Sequence, residues 1–246
     1  MQQDNLNHRV KNYINNFEDN GNYSFVCLAK DAIPVEKGEE WLNYLERQEF
    51  YSGQTSFGEI PRLQRFVCDK GEYFGKRAGW KDDGNPRWVA RQYDNDLRLI
   101  QSYVQSYFDD NIGSLDIPGV KMSVFDSCLA NMYRSLGDSI KPHRDSEVIF
   151  GNNPSVMIVS LGCPREIIFQ RIVYDKKNIN SIKKEKGEKA ERVVITLPSR
   201  SILFMGGETQ KYYSHEIKKV GREGEDGGGV GVDASVRYSL TFRHYG

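Results

Sequence analysis

The stretch Asn131-Met-Tyr-Arg-Ser-Leu-Gly-Asp-Ser-Ile-Lys-Pro-His-Arg-Asp-Ser-Glu147 decides how the chain is read. It joins two extended runs, 120–133 and 140–145, across a polar turn that contains glycine. In an extended segment residues i and i+2 share a face, so His143 and Asp145 point the same way. An imidazole and a carboxylate then converge on one point, as a divalent cation requires. Alone the pair is weak. With 34 acidic residues and four histidines in 246, one His-x-acid match is close to an even chance. Its weight comes from what flanks it.

From about residue 120 the chain is a series of short runs rich in β-branched and aromatic residues. They cover roughly 120–133, 140–145, 155–162, 166–174, 191–197, 201–205, 212–217 and 236–244, with turn signals between them. Eight strands without a long helix among them predict two packed antiparallel sheets, a jelly-roll-like sandwich. Two inserts interrupt the series. Residues 175–190 are lysine-rich and read as a basic hairpin or loop, while 223–233 are glycine-rich and read as a flexible solvent loop.

Upstream, residues 1–22 read as a polar extension. Val10, Tyr13, Ile14 and Phe17 recur there at steps of three and four, which predicts a short amphipathic helix. A strand at 24–29, a helix over 35–50, a strand at 60–68 and an exposed glycine-rich loop at 72–86 follow. A helix over 87–108 is striped by Leu97, Ile100, Val104, Tyr107 and Phe108. The expectation is an α+β fold in one domain over 23–246, with helices in 23–118 and the strand core in 119–246.

Composition narrows the class. Hydrophobic residues make up 38% and aromatics 12%, as in globular proteins. No apolar run is long enough to cross a membrane, and the N-terminus lacks the apolar stretch of a signal peptide. Cys27, Cys68, Cys128 and Cys163 are scattered without metal-binding spacing and read as reduced thiols. An intracellular monomer, nuclear or cytoplasmic, is expected. Lys+Arg and Asp+Glu both number 34, and this balance argues against gripping long nucleic acid by charge alone.

A third metal ligand should come from another strand. His8 lies in the polar extension, whereas His215 sits in Tyr212-Tyr-Ser-His-Glu-Ile217, the penultimate strand. Two imidazoles and one carboxylate leave three coordination positions open, which suits non-haem Fe(II) oxygen chemistry. The last strand, Arg237-Tyr-Ser-Leu-Thr-Phe-Arg243, puts two arginines on the face shared by Ser239 and Thr241. Inward guanidiniums are costly unless they meet anions, and arginine takes carboxylates in bidentate fashion. A dicarboxylate co-substrate fits that face.

Together, Asn131-x-Tyr133, His143-x-Asp145, His215 and Arg237-x-Ser-x-Thr-x-Arg243 resemble the AlkB family of Fe(II)/2-oxoglutarate dioxygenases. Val159-Ser-Leu-Gly162 with Arg165 and Phe169, and Leu197-Pro with Ser201-Ile-Leu-Phe-Met205, extend the resemblance over roughly residues 25–245. Pro61-Arg-Leu-Gln64 resembles the family's nucleotide-recognition region. His143-Arg-Asp-Ser-Glu147 is most similar to animal homologues that repair DNA. The resemblance implies a double-stranded β-helix core with supporting N-terminal helices and a nucleotide-recognition lid. It implies Fe(II) on His143, Asp145 and His215, and Arg243 paired with the distal carboxylate of 2-oxoglutarate. Asn131, Tyr133, Arg237, Ser239 and Thr241 would complete the co-substrate pocket. Ser239 stands where the family usually has Asn, and the interval from His215 to Arg237 is longer than usual.

For substrate the resemblance implies an N-alkylated base, such as N1-methyladenine or N3-methylcytosine, in DNA more than RNA. Oxidation with O2 would release formaldehyde, succinate and CO2. Such a base must leave its stack to reach buried iron. Tyr73 or Phe74 and the His143 ring are the candidates to sandwich it. Arg62, Gln64, Arg144, Lys76, Arg77 and the lysines of 176–189 are candidates for phosphate or base-edge contacts. Two other readings stay open. One is a hydroxylase of the same fold acting on another methylated base, such as 5-methylcytosine, or on protein. The other is a catalytically silent nucleic-acid-binding module, against which the complete ligand set argues.

Overall fold

A computed structural model describes residues 10–18, 20–55, 58–81, 84–172, 174–175, 178–182, 191–220 and 236–245. His8, most of the lysine-rich insert with all its lysines, and the glycine-rich insert lie outside the described residues. Strand β1 (Val10–Phe17) leads into β2 (Tyr23–Ala29), helix α1 (Val35–Glu46), the small pair β3 (Gln54–Thr55) and β4 (Gly58–Glu59), and β5 (Leu63–Cys68). A loop with one 3-10 turn (Lys76–Ala78) precedes α2 (Asn95–Phe108). Then come β6 (Ser127–Tyr133), β7 (Ile140–His143), the one-turn α3 (Glu147–Phe150), β8 (Val156–Gly162) and β9 (Arg165–Arg171). The pair β10 (Tyr174–Asp175) and β11 (Asn178–Ile182), β12 (Arg192–Leu197), β13 (Ser201–Gly207), the one-turn α4 (Thr209–Tyr212), β14 (Tyr213–Ile217) and β15 (Arg237–Arg243) complete the order.

Seven strands form one sheet in the order β1-β2-β13-β8-β15-β6-β5, and four form a second, β12-β9-β14-β7. Val26, Leu28, Ile158 and Leu203 of the larger sheet pack on Ile167, Phe169, Ile195 and Ile217 of the smaller. The larger sheet's other face, including Phe204, Tyr238 and Phe242, packs on Trp41 and Leu45 of α1 and on Ile100 and Val104 of α2. Both its faces are therefore covered, which is why β13 and β15 are buried along their whole length. This is the jelly-roll core with supporting helices that the strand series predicts. Among the described residues no helix is long and apolar enough to cross a membrane.

Two local expectations fail for identifiable reasons. Residues 10–17 form a strand, not a helix, and pair with β2 at the edge of the larger sheet. The register shifts between Asn12 and Ile14, leaving Tyr13 without a partner in the ladder. A bulge of this kind breaks strict alternation and leaves apolar residues at spacings that imitate a helix. The second helix starts at Asn95 rather than 87. The Asp94 side chain accepts the Leu97 N–H at 2.8 Å and caps it, while Arg91 bridges back to Val67.

Candidate active site

β7 and β14 are antiparallel neighbours whose register sets His215 directly opposite His143, with ring centroids 4.3 Å apart. Asp145 lies two residues past the end of β7, outside the ladder, and side chains hold it instead. Arg243 Nε and Nη2 donate to Asp145 Oδ2 and Oδ1, both at 2.9 Å. Gln210 Oε1 accepts the backbone N–H of Asp145 at 2.8 Å. One donor atom from each of His143, Asp145 and His215 then lies within 4.8 Å of the other two.

The protonation states suit a dication. Burial, and after it the neighbouring His143, pushes the His215 ring down to about 3. Burial also lowers His143. Both imidazoles keep a lone pair at neutral pH. Burial works to raise the Asp145 carboxyl, but the Arg243 guanidinium overcomes it and holds the group below the usual carboxylate range. Neutral imidazoles and an ionised carboxylate are what metal ligation needs.

The ligand set opens into a cavity of about 280 Å³. Its polar wall is built from paired strands. Arg237, Ser239, Thr241 and Arg243 face it from β15, while Asn131 and Tyr133 face it from β6, opposite Ser239 and Arg237. Asn131 Oδ1 accepts from both Arg62 Nε and Gln64 Nε2 at 2.9 Å, which orients its amide.

A sequence profile of the 2OG-Fe(II) oxygenase superfamily matches residues 25–243, from β2 to the last residue of β15. The chain belongs to this superfamily. Within it the relatives are AlkB homologues. The oxygenase is 30% identical over 222 residues to the human alpha-ketoglutarate-dependent dioxygenase alkB homolog 3, covering 89% of this chain and 66% of that one. It is 30% identical over 139 residues to the DNA oxidative demethylase ALKBH2 of Arabidopsis thaliana, covering 52% and 39%. It thus spans less than two thirds of the length of either relative. The solved structure of OsALKBH1 matches with a TM-score of 0.57 at 15% identity, over 89% of this chain and 97% of that one. An oxidoreductase of the 2OG-Fe(II) oxygenase family from Burkholderia pseudomallei matches with a TM-score of 0.52 at 13% identity, over 90% and 86%. These two show a shared fold. The superfamily is named for Fe(II) as its metal and 2-oxoglutarate as its co-substrate.

The residues present fit those groups. Besides the three ligands, Arg237 stands in the cavity wall at 1% exposure. Its Nη2 donates to Ser160 Oγ at 3.0 Å, while Nε and Nη1 have no partner among the described residues. Burial pulls its pKa down. A buried guanidinium without an anion is expensive, so this wall is built for a carboxylate. Arg243, expected in that role, is turned to Asp145 instead, with Nε and Nη2 of its three donating nitrogens bonded to that carboxylate.

At the oxygenase's rim the structure departs further from the sequence reading. Tyr73 does not reach the cavity. Its hydroxyl donates to the Trp80 carbonyl at 2.6 Å, and its own carbonyl accepts from the Tyr245 hydroxyl at 3.0 Å. Phe74 does line the cavity, stacked on Trp88 at 4.6 Å and 15°. Trp80 and Trp88 complete the aromatic rim, and sequence reasoning missed both. Their only signal was tryptophan in a loop that is otherwise polar and rich in glycine. Arg62 is 9% exposed and donates to Ser139 O as well as Asn131, so it stands in the wall rather than on the outer surface. Gln64 shares that wall, and Arg144 is exposed at the opening. Lys76 and Arg77 pair with Glu72.

Proposed function

We propose that this oxygenase removes alkyl groups oxidatively from base nitrogens in nucleic acid, DNA in preference to RNA. N1-methyladenine and N3-methylcytosine are the expected lesions. One observation carries the reading: a single cleft joins a three-ligand metal set, a buried arginine with no anion beside it among the described residues and a rim of aromatic rings. The names of the human and Arabidopsis relatives support it. We assign residues 23–246 to one domain acting as a monomer in the nucleus or cytoplasm, with the loop around 72–93 as the nucleotide-recognition lid.

His143, Asp145 and His215 would hold the metal. Loaded with iron, 2-oxoglutarate and O2, the centre supplies the oxidising power to insert one oxygen atom into a C–H bond. The other oxygen atom leaves in succinate as 2-oxoglutarate loses CO2. The N-hydroxymethyl product then releases formaldehyde and leaves the repaired base. Arg237, rather than Arg243, would anchor the distal carboxylate of the co-substrate, its Nε and Nη1 having no hydrogen-bond partner among the described residues. Arg62 and Gln64 saturate Asn131 Oδ1, so Asn131 could offer the co-substrate only its amide nitrogen, which also donates to Leu129 O at 3.4 Å, with Tyr133, Ser239 and Thr241 lining the same cavity. Arg243 keeps Asp145 ionised and aimed.

A flipped base needs a free flat face opposite His143. Trp88 is sandwiched between Phe74 and the Arg87 guanidinium, whose Cζ is 3.8 Å from the ring centroid. Phe150 lies under Arg243 at 4.7 Å. Trp80 is 49% exposed and lines the opening, so it is the base platform in this reading, with Tyr73 fixing its backbone. Arg144 at the opening suits a phosphate.

The test is a panel of methylated DNA and RNA oligonucleotides incubated with iron, 2-oxoglutarate and ascorbate and read by mass spectrometry. Loss of the methyl group with formaldehyde release is expected. A stable hydroxymethyl base or a hydroxylated peptide without formaldehyde would move the chain to the hydroxylase reading. No succinate from the wild type under any substrate would leave only a silent binding module.

A further inference from the structure

The three metal ligands are secured by different means. Backbone pairing of β7 with β14 fixes the separation of His143 and His215. Asp145 has no such ladder. Arg243 grips its carboxylate, but only Gln210 holds its backbone N–H among the described hydrogen bonds.

Gln210 sits on α4, 3% exposed, with its amide used on both sides. Oε1 faces the Asp145 N–H at 2.8 Å, and Nε2 lies 3.5 Å from Asp145 Oδ2 and 3.0 Å from Met205 Sδ. A backbone N–H can only donate, so the amide oxygen must face it and the orientation is determined. The helix that carries Gln210 is itself fastened. Thr209 Oγ1 accepts from the Phe25 N–H at 3.0 Å and donates to Gly206 O at 2.6 Å. Glu208 accepts from Asn22 and Asn153 Nδ2 at 3.0 and 2.7 Å. The residue after α4 opens β14, the strand of His215. One bracket therefore runs from β2 and β13 to Asp145 on one side and to His215 on the other.

We infer that Gln210 is a positioning residue for the iron site: it locks the backbone of Asp145 to the bracket that leads into the His215 strand. It thereby sets the affinity and geometry with which the three ligands hold a metal. It acts through Asp145 and touches no reacting atom, as residues behind metal ligands do elsewhere. This role rests on the metal centre and is independent of the substrate reading, so either can fail without the other.

The experiment titrates Co(II) into the metal-free full chain, following its visible absorption and the binding heat. Gln210→Met keeps the length and apolar stem but removes the acceptor. It should bind Co(II) about 10- to 100-fold more weakly, with a changed spectrum. Gln210→Glu keeps the acceptor for the Asp145 N–H but turns a second oxygen toward Asp145 Oδ2, so it should recover part of the affinity lost in Gln210→Met. A packing role alone would be met equally well by methionine. Thr209→Val loosens the bracket without touching Asp145 and should give a smaller loss of the same sign. It keeps the test alive if Gln210→Met does not fold. Wild-type affinity and spectrum in Gln210→Met, or equal impairment in Met and Glu, would overturn the assignment. A wild-type chain that takes up no Co(II) would remove the ligand set and this role with it.

Discussion

At the floor of the cavity His143, His215, Asn131, Arg237 and Ser239 all sit on strands paired in register, whereas at the rim Phe74, Trp80 and Trp88 hang from the loop between β5 and α2. The floor takes its geometry from backbone hydrogen bonds, which place side chains at fixed spacings whatever the neighbours do. The rim takes its geometry from ring-on-ring contacts and from glycines. Gly75, at φ +89°, lies so close under Trp80 that a methyl group there would come within 2.3 Å of the indole. Metal chemistry tolerates little displacement, and of its three candidate ligands two sit on the ladder while Asp145, just past it, is fixed by Arg243 and Gln210. Substrate choice can vary by loop, so it belongs on the rim.

Breaking the floor should have the largest effect. Asp145→Ala is expected to bring succinate formation to background, because it removes a ligand and leaves Arg243 buried without its anion. The second consequence costs about 3–5 kcal/mol of stability, so a thermal melt should fall alongside the activity. Retained succinate formation would mean that the metal sits elsewhere.

The two arginines of β15 sharpen the comparison within the floor. Arg237→Ala should raise the 2-oxoglutarate KM by about 100-fold, since a truncated buried charge contact costs about 2–5 kcal/mol. Arg243→Ala should instead weaken metal binding, because it releases Asp145. Steady-state kinetics against Co(II) titration separates the two. A KM effect confined to Arg243 would return the carboxylate anchor to that residue.

Rim variants should act on the nucleic acid alone. Trp80→Ala is expected to lower kcat/KM for a methylated oligonucleotide about tenfold. Succinate formed without substrate should be unchanged. If Phe74→Ala is impaired far more than Trp80→Ala, the platform has been misassigned. The smallest effect is expected from Tyr73→Phe, a loss of about two- to fivefold as the Trp80 carbonyl loses a hydrogen bond worth about 0.5–1 kcal/mol. Equal losses on duplex and single-stranded substrates would argue against a role in holding a flipped base.

The same contrast explains what could be read in advance. The strand series was legible because alternation and turn residues are local, and the ligand spacing because i and i+2 share a face. β1 was misread because its bulge erased the alternation. The early start given to α2 ignored Asp94, a capping residue visible in the sequence. Trp80 carried no periodicity at all, since its place comes from Gly75, Gly79 and the Tyr73 hydroxyl acting across the loop.

By itself the sequence determined the two-sheet core, the donor types His143, Asp145 and His215, and the polar face of the last strand. These follow from side-chain chemistry and from the two-residue period of a strand. Only the tertiary structure decided that Arg243 pairs with Asp145 while Arg237 Nε and Nη1 find no partner among the described residues. Only the fold, likewise, brought Gln210 behind the metal carboxylate and Trp80 to the opening. The contacts of Asp145 with Gln210 and Arg243 join residues some 65 to 100 positions apart across the sandwich and leave no local pattern to read. Trp80 is set within its loop by glycine conformations and a hydroxyl that have no periodicity.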